Sequence, residues 1–162
     1  MKHLSIVTTG GTIDKLYFDD LSEYQIGEPQ IGNILRAIGV GFEFDVIALM
    51  RKDSLHLGDE DRALIRATIA AQPHRHVLVT HGTDTMVQTA LALADLTDRT
   101  IVLTGALNPA RFQGSDAVFN IGCAVGAVQV LPPGVWIAMS GRVFDARKVR
   151  KNRAANRFEA VE

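Results

Sequence analysis

The stretch Leu4-Ser5-Ile6-Val7-Thr8-Thr9-Gly10-Gly11-Thr12-Ile13-Asp14-Lys15 decides how this chain folds. Leu4 to Thr8 is a short apolar and β-branched run of the kind that forms a strand. It stops at two glycines set among hydroxyls. Such an ending is either a tight turn and nothing more, or a place where the backbone lets a ligand come close to a threonine oxygen. Glycine serves both, since it tolerates positive φ and puts no side chain in the way.

Working outward, the same run recurs at Phe42 to Leu49, Val77 to Thr80, Ile101 to Thr104 and Val135 to Met139. Helical stretches lie between these runs. One opens with Asp59-Glu60-Asp61 at the positive end of its dipole and continues to Ile69; others span Met86 to Leu96 and Asp116 to Val130, with a weaker one at Gln30 to Ile38. Strands that are apolar on both faces and alternate with helices predict an α/β fold, a mostly parallel central sheet flanked by helices on both faces in three layers. Function in such a sheet gathers at the carboxyl ends of the strands. Lys15 to Pro29, with Tyr17 and Tyr24, has neither period and reads as an exposed loop.

Composition narrows the class. The 162 residues suit one domain with a hydrophobic core, and 47% hydrophobic with 22% charged residues is typical of soluble globular chains. A net charge of -1 gives no global attraction to nucleic acid or to a membrane. The lone Cys123 cannot form an internal disulfide, and no basic, apolar leader precedes the first strand, so the expected location is cytoplasmic. No apolar run reaches the roughly 20 residues of a membrane span.

A second strand end resembles the first: the Val77 run delivers His81-Gly82-Thr83-Asp84-Thr85. In a parallel sheet both glycine-threonine turns lie on one edge and can face one site, where backbone N–H groups could hold a developing oxyanion. Each has a plainer reading. Thr83 or Asp84 could cap the following helix, and taken alone the cap is the simpler account. Gly10-Gly11 is neither GxGxxG nor a P-loop, so nucleotide binding is not supported. The basic run from Arg142 to Arg157 holds seven Lys or Arg and lacks interleaved aromatics. It reads as a solvated or polyanion-binding segment, or as the source of one inward lysine. A lysine drawn partly out of water gives up its proton more readily and can then take one from a threonine hydroxyl. His74 and His76, with His56 and His81 apart from them, lack metal-site spacing, and Cys123 reads as a small core residue.

With these residues assembled, the chain resembles the L-asparaginase and glutaminase family that uses a threonine nucleophile. TTGGTIDK is similar to the family's TGGTI signature, and His81 to Met86 to its HGTDTM signature. Thr104-Gly105-Ala106, Asp116 with Asn120, and Asp145 to Lys151 are similar to its TGA, DG-N and DGR-V-K segments. The resemblance implies that Thr12 attacks the side-chain carboxamide carbon to form an acyl-enzyme. It implies that Thr83, Asp84 and Lys151 make the second catalytic group, and that Asp84 also binds the substrate's α-ammonium. Ser54 matches the residue that binds the α-carboxylate; Leu55, Gly11 and Gly82 would line the same pocket. The tyrosine that assists Thr12 is open between Tyr24, which fits the Tyr-x-x-Gly context, and Tyr17, which is nearer in sequence. The reading leans to Tyr24.

The resemblance further implies no metal or organic cofactor, L-asparagine as small-molecule substrate, and a homo-oligomer, dimer or tetramer. It covers residues 1–162 as the N-terminal catalytic type of domain, without the C-terminal domain of the usual family enzymes. Two positions depart from the family: His56 stands where an acidic residue is usual, and Leu55 where some members have glutamine. From these departures and the short length follow expectations of weak substrate binding, activity that needs an oligomer and low glutaminase activity. Two other readings are the glutaminase part of a tRNA-dependent amidotransferase, with the basic segment facing RNA or a partner, and a non-catalytic amino-acid binding module.

Overall fold

The computed structural model describes residues 1–18 and 23–162. Its elements, in chain order, are β1 (His3–Gly10), β2 (Lys15–Phe18), β3 (Glu23–Ile26), α1 (Ile31–Ile38), β4 (Glu43–Lys52), α2 (Asp59–Ala70), β5 (His76–Thr80), α3 (Met86–Ala92), β6 (Thr100–Thr104), α4 (Ala117–Val130), β7 (Gly134–Met139), β8 (Arg142–Asp145), β9 (Val149–Asn152) and β10 (Arg157–Ala160). Six strands form the central sheet in the order β4-β1-β5-β6-β7-β8. All neighbours are parallel except β7 and β8. The mostly parallel α/β architecture expected from the alternation is therefore the one formed.

Side-chain parity explains why the strands are apolar throughout. Val7, Val77, Val79, Ile101, Leu103 and Ile137 face α2 and α3, whereas Leu4, Ile6, Leu78 and Val102 face α1 and α4. Each fully buried aliphatic side chain here contributes about 1.5–3 kcal/mol, so two covered faces hold the sheet rigid beneath its loops. α2 starts as the acidic run predicts, with Asp61 accepting from the Gly58 N–H in a capping arrangement. None of the helices among the described residues is long and apolar enough to cross a membrane.

Three elements differ from the sequence expectation. α3 stops at Ala92 and passes into turns, four residues short of Leu96. Lys15 to Pro29, expected as a loop, instead contains the antiparallel β2–β3 pair, in which Tyr17 lies opposite Tyr24 with ring centroids 5.2 Å apart. An aromatic cross-strand pair of this kind stabilises a hairpin with no alternating apolar pattern to announce it. The basic stretch after Met139 is no solvated tail. It forms β8 and then the β9–β10 hairpin, pinned to the core by buried Phe144, Val149 and Phe158.

Candidate active site

The carboxyl ends of β1, β4 and β5 meet through their backbones. After β1 the chain turns at Gly11, with φ of 88°, into the single 3-10 turn Thr12–Asp14. The Gly11 N–H donates to the Lys52 carbonyl at the end of β4 (3.0 Å). A Cβ added to Gly11 would lie 2.5 Å from the Cα and N of Gly82, and one added to Gly82 would lie 2.7 Å from the Cβ and Oγ of Ser54. Glycine is thus required twice in a row for three loops to close on one another. Thr12, Thr83 and Ser54 are carried to this junction from positions up to 71 residues apart.

The loop after β5 is fixed from beneath by His81. Its ring is fully buried, with Nδ1 2.6 Å from the Gly82 carbonyl and Nε2 2.7 Å from the Thr89 hydroxyl. A carbonyl can only accept, so Nδ1 carries the proton and Nε2 accepts from Thr89. Burial pushes the imidazole down to about 4; it is a neutral brace for the Gly82-Thr83 turn. A second brace is Asp116, which accepts from the backbone N–H groups of Leu107 and Asn108 and from Asn120, while Asn120 donates to the Gly105 carbonyl. The aspartate and asparagine noted in the sequence therefore hold the turn after β6.

Above the junction sits the polar group. Lys151, on β9, donates from Nζ to Thr83 Oγ1 (2.6 Å) and to Asp84 Oδ1 (2.7 Å). Its side chain is 8% exposed. Arg153 Nε stands 3.6 Å from the same Asp84 oxygen, at the rim. Thr83 and Asp84 do not cap α3: its N-cap is Thr85, whose hydroxyl instead donates to the Ser54 carbonyl (2.7 Å). The capping account is overturned because the lysine takes both side chains. A cleft of about 290 Å³ opens beside Asp84, Lys151 and Arg153.

Of the residues read from the sequence, Gly11, Thr12, Ser54, Gly82, Thr83, Asp84 and Lys151 form this one region. Leu55 lies next to it with an exposed side chain. Tyr17 and Tyr24 are both exposed on the hairpin; Tyr24 also packs on Phe112 (5.8 Å between centroids) and lines a cleft with Lys15, Asp53 and His56. Asp53 is burdened by partial burial, yet the Leu55 N–H and the Lys15 charge hold its carboxyl below the usual range. Sequence reasoning missed Asp14. Its buried Oδ1 accepts from the Gln30 N–H (2.9 Å) and its carbonyl from the Gly27 N–H (2.8 Å), so it ties both ends of the hairpin beside Thr12. Burial pushes Asp14 up to about 6, against the Gln30 hydrogen bond and the Arg111 and Arg51 charges.

Residues 3–162 match the family model described as asparaginase, N-terminal. An L-asparaginase of Bacillus licheniformis is 30% identical over 167 residues, taking in 96% of this chain and 51% of that protein. A component of the glutamyl-tRNA(Gln) amidotransferase of Archaeoglobus fulgidus is 35% identical over 103 residues, 57% of this chain and 25% of that protein. The crystal structure of a probable cytoplasmic L-asparaginase from Campylobacter jejuni superposes with a TM-score of 0.85 at 28% identity, over 99% of this chain and 54% of that one. The chain spans about half the length of the L-asparaginases it matches.

Proposed function

This chain belongs to the asparaginase family, through that family's N-terminal domain, and on that premise we propose that it is an amidohydrolase that converts L-asparagine to L-aspartate and ammonia. In this reading the Thr12 oxygen attacks the carboxamide carbon, and the collapsing adduct expels ammonia to leave an acyl-threonine ester. Water then cleaves the ester to aspartate and restores the hydroxyl. Thr83, Asp84 and Lys151 act as one unit that shuttles the proton, Ser54 receives the α-carboxylate, and Asp84 the α-ammonium. Tyr24 assists Thr12. Residues 1–162 serve as one catalytic unit. The observation that carries the reading is the Lys151 ammonium bonded at once to Thr83 and Asp84 above the Gly11–Gly82 junction. A lysine that reaches across 68 positions to hydrogen-bond a threonine hydroxyl and a carboxylate together has the geometry of a proton-relay group beside the nucleophile. A low preference for glutamine belongs to the same proposal.

The test is ammonia release from L-asparagine and L-glutamine by the purified chain, beside Thr12→Ala and Thr83→Ala. Asparagine turnover lost in both variants is the expected result; a folded wild type that turns over neither amide rejects it.

Cytoplasmic location and a homo-oligomer, dimer or tetramer, complete the proposal. The name of the Campylobacter jejuni neighbour supports the first. The exposed apolar face of α4, with Val118, Phe119 and Val130, supports the second. The alternative of an amidotransferase component draws support from the Archaeoglobus fulgidus relative and from exposed Arg147, Lys148, Arg150 and Arg157. Glutamine hydrolysis that rises on adding a charged tRNA would favour it.

A further inference from the structure

The other end of the sheet carries a second cluster. His3 opens β1, Glu43 and Asp45 lie on the neighbouring strand β4, and His74 sits in the link between α2 and β5. Register pairs His3 with Glu43 and Ser5 with Asp45, so all four side chains of these pairs project from the face that α2 covers. His74, in the link after α2, stacks its ring on that of His3, with centroids 3.8 Å apart. Asp45 Oδ1 contacts His3 Nε2, and Glu43 Oε2 stands 3.7 Å from His3 Nδ1. One ligand atom from each of His3, Asp45 and His74 lies within 4.8 Å of the others.

We propose that His3, Asp45 and His74 form a binding site for a divalent transition-metal ion of the zinc type, at the end of the sheet opposite the candidate active site. Two imidazoles and one carboxylate are the donors such an ion prefers, and hard ions such as Mg²⁺ or Ca²⁺ want all-oxygen shells. Bonds of about 2.0–2.2 Å to a tetrahedral ion separate neighbouring ligand atoms by roughly 3.3 Å. The ligand atoms already lie within 4.8 Å of one another, and unstacking the His3 and His74 rings, a side-chain rotation, is the adjustment an ion would require. Two further features suit it. Glu43 is the outer carboxylate that can accept a hydrogen bond from the Nδ1–H of His3 and so fix Nε2 as the ligand nitrogen. Ser5, next along β1 on the same face, is fully buried with its hydroxyl unpaired among the described residues, so the floor beneath the cluster is polar.

An ion here would join β1, the edge strand β4 and the α2–β5 link. His3 and Gly10 stand at the two ends of an eight-residue strand, about 23 Å apart at roughly 3.3 Å per step. Its effect is on stability and leaves amide chemistry untouched.

The test is calorimetric titration of zinc chloride into the untagged 162-residue chain, beside His74→Ala and Asp45→Asn, with thermal unfolding of each. His74 lies in a link, so its replacement leaves the sheet intact. Expected are one equivalent bound by wild type, a raised midpoint of unfolding at saturation, and at least a tenfold loss of affinity in each variant. Ammonia release should be the same with and without zinc. No binding by wild type overturns the proposal, and so does either variant keeping the wild-type affinity, since the ion would then be held elsewhere.

Discussion

Gly11 and Gly82 touch backbone to backbone: a Cβ on Gly11 would stand 2.5 Å from the Gly82 Cα. Each is followed by a threonine, so the contact sets the spacing between Thr12 and Thr83.

Gly11→Ala should therefore disable the protein. Gly11 has φ of 88° and ψ of -177°, a region that is essentially glycine-only and costs a side-chain residue about 1–3 kcal/mol before any clash. Ammonia release should fall at least a hundredfold with a lowered melting midpoint. Gly41→Ala, where a Cβ meets nothing within 4 Å, should leave both unchanged. An active Gly11→Ala protein would show that the two turns are not held in contact.

Lys151→Met should remove the group that bonds Thr83 and Asp84 together while keeping most of the packed stem. A positioned acid–base group is worth roughly 10²–10⁴-fold, so kcat should drop by that much. A loss of less than tenfold in a steady-state assay would assign the proton transfer to another residue.

Two buried groups should act on stability with opposite signs. Asp14 titrates near 6 when folded against 3.8 for a free carboxyl. Its raised value favours the folded state below about pH 4 and loses that benefit as pH rises through 6. His81 titrates near 4 against 6.5. Its lowered value favours the folded state above pH 6.5 and loses that benefit as pH falls through 4. Each is of order 3 kcal/mol, and in the native chain they largely offset. Asp14→Asn keeps an oxygen for the Gln30 N–H, so denaturant unfolding of this variant should expose the His81 slope, with stability falling from pH 7 to pH 4 more steeply than in wild type. Identical pH profiles for the two proteins would contradict the buried, raised Asp14.

Tyr24→Phe should lower kcat on asparagine by at least tenfold, and Tyr17→Phe by much less. Tyr24 lines the cleft with Lys15, Asp53 and His56, whereas Tyr17 lies across the hairpin from it. The reverse order in a paired kinetic comparison would reassign the role.

The reach of local sequence is visible in these residues. The β-branched runs that end in Gly-Thr already place two turns on one sheet edge, because a parallel sheet leaves its connections no other arrangement. Ser54, Lys151 and the tyrosine pair stand in stretches that only the family resemblance marks, and the resemblance leaves the choice of tyrosine open. Asp14 passed unnoticed, since a single aspartate after a turn carries no pattern and gains its meaning only from Gln30 and Gly27, which come back to it through the hairpin.

By itself, then, the sequence determined the alternation of strands and helices, the parallel sheet and the glycines at its edge, all of which follow from side-chain period and backbone sterics acting over a few residues. The tertiary structure decided between the two readings of Thr83 and Asp84, which bind Lys151 and do not cap α3, and it alone decided that the basic segment folds as a hairpin and that His3, Asp45 and His74 gather at the far end. Those outcomes depend on the energy of burying or pairing groups dozens of positions apart, which no local pattern encodes.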